Sequence, residues 1–397
     1  MTSKNSSSKS KLGFVFKHSL SRISWIILIW CLILFIISVL IPLMRWTTIQ
    51  SNDYETSRYV MNDTFNFFYM AAAVFMCIIS MIAGSGFNYL NKKESVDFYH
   101  SQPFSRKQWF WGKYLAGLAG IYVPLLVASA VFTGISRYFS HVFSFKYVLL
   151  NTALEVLNLF IILFVFYNIF VFCKILSGKN ILGYCLSAIF IVLPGATSTF
   201  LKSFSQELVY KIYDKSINFR NSPINPYNLI NITKKSDIAK SISINEKSTI
   251  IFISIWVLIA TALLVGAYYM HKTRKNEGNN IPIANPLLAY PIKAVLIIAG
   301  TSFSLWISLG FKFAFYSSLS IFALIASPMT FIISIGVIYV FIELLFPSGK
   351  NFINKKSILF MAGCILLTVS IIILMVVYGK DYANLTIPVL NGGMIYE

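Results

Sequence analysis

Residues 88–117 read NYLNKKESVDFYHSQPFSRKQWFWGKYLAG, and the placement of this stretch decides the fold. It lies between two long apolar runs, so a bilayer bounds it on both sides. It carries Lys92, Lys93, Glu94, Asp97, Arg106, Lys107 and Lys113, a charge density that its neighbours lack. Pro103, flanked by Ser101 and Ser105, reads as a break, because proline disfavours helix in the residue before it. The expected shape is a short amphipathic helix on the cytoplasmic face, a turn at Pro103, then a membrane helix starting near Lys107. A surface helix in that position is expected to serve as a docking element for a cytoplasmic partner domain.

Outward from this stretch the chain is apolar. Of its 397 residues, 57% are hydrophobic and 12% charged, with a mean hydropathy of +0.72. A soluble domain cannot hide that much apolar surface, so the composition predicts an all-α polytopic membrane protein. The formal charge of +19 would suggest nucleic acid for a soluble chain; here it reads as orientation in the membrane, and no nucleic-acid partner is expected. The five cysteines (Cys31, Cys77, Cys173, Cys185, Cys364) all fall in apolar runs without CxxC spacing and read as packing residues.

Apolar periodicity places nine spans: Ile23–Met44, Phe67–Phe87, Trp109–Ile135, Tyr147–Phe172, Ile181–Phe200, Thr249–Met270, Ile292–Gly310, Leu319–Phe346 (interrupted near Pro328) and Ser357–Tyr378. The first is too long for the apolar core of a signal peptide and lacks a small-residue cleavage site. Residues 1–22 form a basic cytoplasmic tail with a Ser-rich, disordered start, 23–275 a core and 276–378 additional membrane helices. Within the core, 88–113 is the cytoplasmic segment and 201–248 an extracellular loop; 379–397 is a short tail. Gly112, Ala116 and Gly120, four apart, make a small-residue stripe for close helix approach. Trp25, Trp46, Trp109 and Trp111 read as interfacial anchors. Three acids (Glu94, Asp97, Glu277) fall on one side and nine on the other, while the side with fewer acids holds most Lys and Arg. The N-terminus is therefore expected in the cytoplasm, with the chain in the cell membrane.

No phosphate-binding loop is present: Ser177–Asn180 and Ser348–Asn351 both read SGKN, without the upstream glycine or the hydroxyl that the metal needs. His18, His100, His141 and His271 sit at span ends or in loops without a carboxylate cluster, so neither a catalytic nor a metal site is expected. The chain reads as a non-enzyme that binds no cofactor, and any ATP and Mg must sit on a partner. Two acids fall inside spans. Glu155 lies about two turns into its helix and is a candidate for a translocation path, whereas Glu343 is close enough to the interface to snorkel. No chain of acids suited to a proton relay exists.

The central stretch, with Asp97, Phe98, Tyr99, His100, Ser101, Pro103, Ser105, Arg106, Lys107, Lys113, Tyr114 and Gly117, resembles a segment of ABC-2-type permeases of Gram-positive bacteria, the Ytr-like branch. Gln102 stands where that family has an apolar residue. A second similarity follows the sixth span, with Arg274, Glu277, Gly278, Ile281 and Lys293, and a third covers Gly379–Pro388. Some relatives continue from there into an extra domain, so the resemblance implies that this chain, ending at Glu397, lacks it or takes it from another subunit. The resemblance implies a six-helix ABC-2 core with about three additional C-terminal helices. In it, Glu94, Asp97, Phe98, Tyr99, His100, Ser101, Pro103, Ser105, Arg106 and Lys107 form a coupling segment for a separate ATPase subunit. It further implies a second permease subunit, identical or homologous, in contact with membrane lipid. The expected function is export of an amphipathic peptide, antimicrobial or lipid-like compound. Two other classes compete. A membrane sensor or immunity protein that binds a peptide would need no ATPase dock, and a secondary transporter should show internal repeats and mid-membrane charges.

Overall fold

A computed structural model of the chain describes residues 3–48, 72–139, 145–193, 197, 201, 246–274, 289–314, 329, 331–340, 342 and 355–385. These are almost entirely helical, and five helices are long and apolar enough to cross a membrane: Lys11–Met44, Val74–Asn91, Arg106–Tyr138, Val148–Leu176 and Ile253–Thr273. The protein is an all-α polytopic membrane protein. Shorter apolar helices (Asn180–Leu193, Ile292–Leu305, Phe331–Val340, Ile358–Leu374) fall on the four remaining runs read as spans, the first beginning one residue ahead of its run. The extracellular-loop segment is outside the described residues apart from Leu201 and 246–248, as are Pro328 and Glu343.

The chain divides into two compact units. The first comprises Met1–Ile189 with Leu229–Asn285, the second Phe190–Asn228 with Pro286–Glu397. In the first, α1 (Ser3–Phe35) passes through a π-helical segment (Ile36–Leu40) into α2 (Ile41–Thr48). Pro42 explains the π turn. Its ring would meet the carbonyl four residues back, and the widened register instead pairs the Ile41 N–H with Ile36 O. Then follow α3 (Ala72–Phe87), a 3-10 turn (Asn88–Asn91), α4 (Lys93–Ser101), α5 (Arg106–Phe139) and α6 (Phe145–Leu176). After them α7 (Asn180–Leu193) begins, and α8 (Glu246–Thr273) completes the unit.

Helix α1 starts twenty residues before the apolar run that announced it, so its Ser-rich start is helical rather than disordered. Its buried face, Val15, Ser19, Ile23, Ile26, Trp30, Leu34 and Ile37, repeats at three and four residues and carries the inward stripe upstream of Ile23. That stripe lies along α5. A Cβ at Gly112 would stand 2.5 Å from Val15 Cγ1, one at Gly120 2.9 Å from Ile27 Cδ1, and Ala116 between them is fully buried. The small-residue stripe thus receives α1, as its spacing predicts. Trp30 also donates to Ile121 O at 3.1 Å and meets Phe75 of α3 edge-on.

Across α5 the partner is α6. Tyr114 donates to Asn168 Oδ1 at 3.0 Å, Tyr167 donates to Tyr114 O at 3.1 Å, and Tyr122 donates to Phe160 O at 3.0 Å. Gly117 leaves room for the Tyr167 hydroxyl, which any Cβ there would strike. Helix α8 packs on α6, with Gly266 against the Phe172 ring.

The second unit contains α9 (Ala289–Ala314), α10 (Phe331–Val340) and α11 (Lys355–Leu385). Thr301 and Thr368 bring their hydroxyls to 3.2 Å between α9 and α11, Tyr290 meets Phe360 edge-on, and Gly300 admits the Ile338 side chain.

Candidate functional site: the charged end of the first unit

Helix α4 is short, and its two faces are sharply different. Glu94, Asp97, Phe98 and Ser101, spaced at i, i+3, i+4 and i+7, are exposed; Phe98 is 61% accessible. Val96 and Tyr99 face inward and are buried. The helix stops where Gln102 turns extended ahead of Pro103. Its first turn carries Glu94, favoured by the positive helix start.

The turn into α5 is a capping box. The Ser105 N–H donates to Gln108 Oε1 at 2.9 Å and the Gln108 N–H donates to Ser105 Oγ at 3.3 Å. Phe104, just outside the cap, packs edge-on against Trp109 at 5.4 Å, the hydrophobic staple that fixes the entry angle. Phe104 also stacks on Phe14 of α1. The break expected at Pro103, with a helix close behind it, is therefore built by Ser105 and Gln108.

What holds α4 down is a cation set among rings. Lys113, on the second turn of α5, is 4% exposed, with its Nζ 3.5 Å from the Tyr89 ring centroid, 4.3 Å from Tyr99 and 5.3 Å from Trp109. Arg22 of α1 donates to the Tyr99 hydroxyl at 2.7 Å. The Tyr89 hydroxyl and His271 Nε2 are hydrogen-bonded at 2.6 Å. Burying an ammonium costs several kcal/mol, and each desolvated ring contact returns up to about 2 kcal/mol. The rings therefore offset much of the cost without supplying a counter-charge.

Two arginines tie the helix ends together. Arg274, just beyond α8, donates to Ile175 O at 2.7 Å, Leu90 O at 3.0 Å and Asn91 Oδ1 at 3.3 Å. Arg106 at the start of α5 donates to Lys272 O at 2.9 Å and Arg274 O at 3.0 Å. These are carbonyls that helix C-termini leave without intrahelical partners, and a guanidinium fork is suited to gather several. Burial lowers the Arg274 pKa to about 10, so it remains charged at neutral pH. Asn91 donates to Asn180 Oδ1 at 2.6 Å, and Lys174 donates to Asn180 O at 3.0 Å, which brings the start of α7 to the same end.

The expected coupling residues thus divide. Glu94, Asp97, Phe98, Ser101, Pro103, Ser105 and Lys107 are exposed; Tyr99 is buried and seats the helix; Arg106 is half-buried and grips the end of α8. The side chains of His100 and Glu155 lie outside the described residues, although both backbones are helical. Two residues changed character. His271, expected at an interface, is buried, and so is Trp109, expected in an aromatic belt. Lys113 is the residue that sequence reasoning passed over as one more surface charge. No protein-family model, no curated protein and no solved structure matches the chain.

Proposed function

We propose that this chain is the membrane-spanning permease subunit of an ATP-binding cassette exporter in the cell membrane, with its N-terminus in the cytoplasm. It is driven by a separate ATPase subunit that carries ATP and Mg. The observation that supports this reading is the two-sidedness of α4. A nine-residue helix between two candidate spans is clamped through Tyr99 to α1 and α5, and it turns Glu94, Asp97 and Phe98 outward. The exposed phenylalanine beside two acids is read as the contact surface for that subunit.

The clamps also suit a lever. A push on α4 passes to α1 through Arg22, to α5 through the rings around Lys113, and to α8 through Arg106. Closure of two ATPase subunits would tilt these helices together and open a path between this chain and a second permease subunit, identical or homologous. Cargo of an amphipathic kind, a peptide, antimicrobial or lipid-like compound, fits spans rich in aromatic residues and poor in charge.

Purification of the chain from native membranes tests this, comparing it with Phe98→Asp and leaving Arg106 and Tyr99 intact. An ATP-hydrolysing subunit should accompany the native chain and be lost from the variant. Absence of any such subunit from both would overturn the proposal.

A further inference from the structure

A narrow crevice opens where α1 crosses the start of α5, lined among others by His18, Ser19, Arg22, Ser85, Tyr99 and Lys113. Among the described residues its lining holds three basic side chains and no carboxylate. Lys113 and Ser19 are buried, while His18 and Arg22 are exposed at the mouth. The other hydroxyls there are occupied: Ser85 donates to Ile82 O, and the Tyr99 hydroxyl accepts from Arg22. Ser19 Oγ, on a residue only 7% exposed, has no hydrogen-bond partner. A buried hydroxyl without a partner beside a buried lysine amine, with no carboxylate among the described lining residues, suits an anionic acceptor.

The crevice offers ≈ 10 Å³, room for about one water-sized atom. One oxygen of a phosphate fits, and the whole group does not. The geometry points to a site for a phosphate ester or inorganic phosphate. One oxygen enters towards Lys113 and Ser19, and the other oxygens meet the Arg22 guanidinium and His18 at the mouth. Arginine's fork is matched to that group.

A lipid headgroup and a free ion share this chemistry, and α1 favours the lipid as the source. His18, Arg22, Trp25, Ile29 and Leu32 recur at alternating steps of four and three, so they share one helix face, and all five are exposed. From Arg22 to Leu32 the helix rises about 15 Å, half the thickness of a bilayer's hydrocarbon. A lipid whose phosphate sits at the crevice would lay its chains along that face. This site stands independently of the exporter reading.

The test uses the full chain in phosphatidylcholine nanodiscs with and without phosphatidylglycerol, with adducts read by native mass spectrometry and unfolding followed on heating. Arg22→Gln and Lys113→Met are expected to weaken phosphatidylglycerol retention on the order of tenfold, and Ser19→Ala severalfold. Lys17→Gln, an exposed basic residue of the same helix, should leave it unchanged. If millimolar inorganic phosphate instead raises the unfolding temperature of the native chain but not of Arg22→Gln, the site stands with a free ion as its occupant. Should Lys113→Met fail to fold, Arg22→Gln and Ser19→Ala decide. Retention of lipid and response to phosphate that match in the native chain and all variants would overturn the site.

Discussion

Arg22 of α1 donates a 2.7 Å hydrogen bond to the hydroxyl of Tyr99 on α4, across 77 positions of sequence. The bond joins a span to a surface helix that is too short to be stable alone. Tyr99 meets Tyr89 and Trp109 edge-on, with ring centroids 4.7 and 4.8 Å apart, so this side chain helps to seat α4.

Two substitutions at Tyr99 therefore separate its roles. Tyr99→Phe removes one hydrogen bond to a charged group, about 1.5–3 kcal/mol, and keeps the ring. Tyr99→Ala removes the ring as well, with a loss of about 3–5 kcal/mol. Limited proteolysis within residues 92–107 should accelerate modestly in the first and strongly in the second. Equal susceptibility of both variants and the native chain would show that α4 is held by something else.

Ser105→Ala breaks the capping box at the start of α5. The expected loss is about 1 kcal/mol, read as a lower unfolding temperature in detergent. Ser105→Asp should retain most of the stability, since its side chain also caps.

Arg274→Ala would take one donor each from the Ile175 and Leu90 carbonyls and from Asn91 Oδ1, at a total cost of about 1–3 kcal/mol. Arg274→Lys is expected to restore little, because an ammonium cannot span the three acceptors as a fork does. With its pKa at about 10, below the unfolded value, Arg274 is charged in both states near neutrality. The deficit of the alanine variant should thus be flat between pH 6 and 8. The native chain's penalty for burying this charge is present below about pH 10 and is relieved above it, so this group's contribution to stability rises with pH there.

The small-residue stripe gives a graded prediction. At Gly112 a Cβ meets Val15, whose β-branched side chain is stiff; at Gly120 it meets the flexible tip of Ile27. Gly112→Ala should cost about 1–3 kcal/mol and Gly120→Ala clearly less. The reverse order in thermal unfolding would contradict the packing of α1 on α5.

Five of the spans, the break at Pro103 and the stripe at Gly112, Ala116 and Gly120 were legible because each is a local pattern of hydropathy or spacing. The length of α1 was not. Among the described residues upstream of Ile23, Val15 and Ser19 are the buried ones, a stripe too sparse to see without α5 beside it. Lys113 was hidden for a related reason. Its burial needs Tyr89, Tyr99 and Trp109, from three segments, to close over it once α4 folds back, and no period in the sequence records that closure. The surface character of Glu94, Asp97 and Phe98 was legible as an amphipathic helix. The inward roles of Tyr99 and Arg106 depend on partners 77 and 166 positions away.

The central claim is that the exposed face of α4 is where an ATPase subunit sits. A photo-crosslinking side chain placed at Phe98, with Tyr138 at the far end of α5 as the control, tests it in native membranes; both positions are exposed. The account predicts capture at position 98, and not at 138, of a protein that binds ATP through a phosphate-binding loop. Equal capture at both positions, or efficient labelling at 98 without any ATP-binding protein, would contradict it.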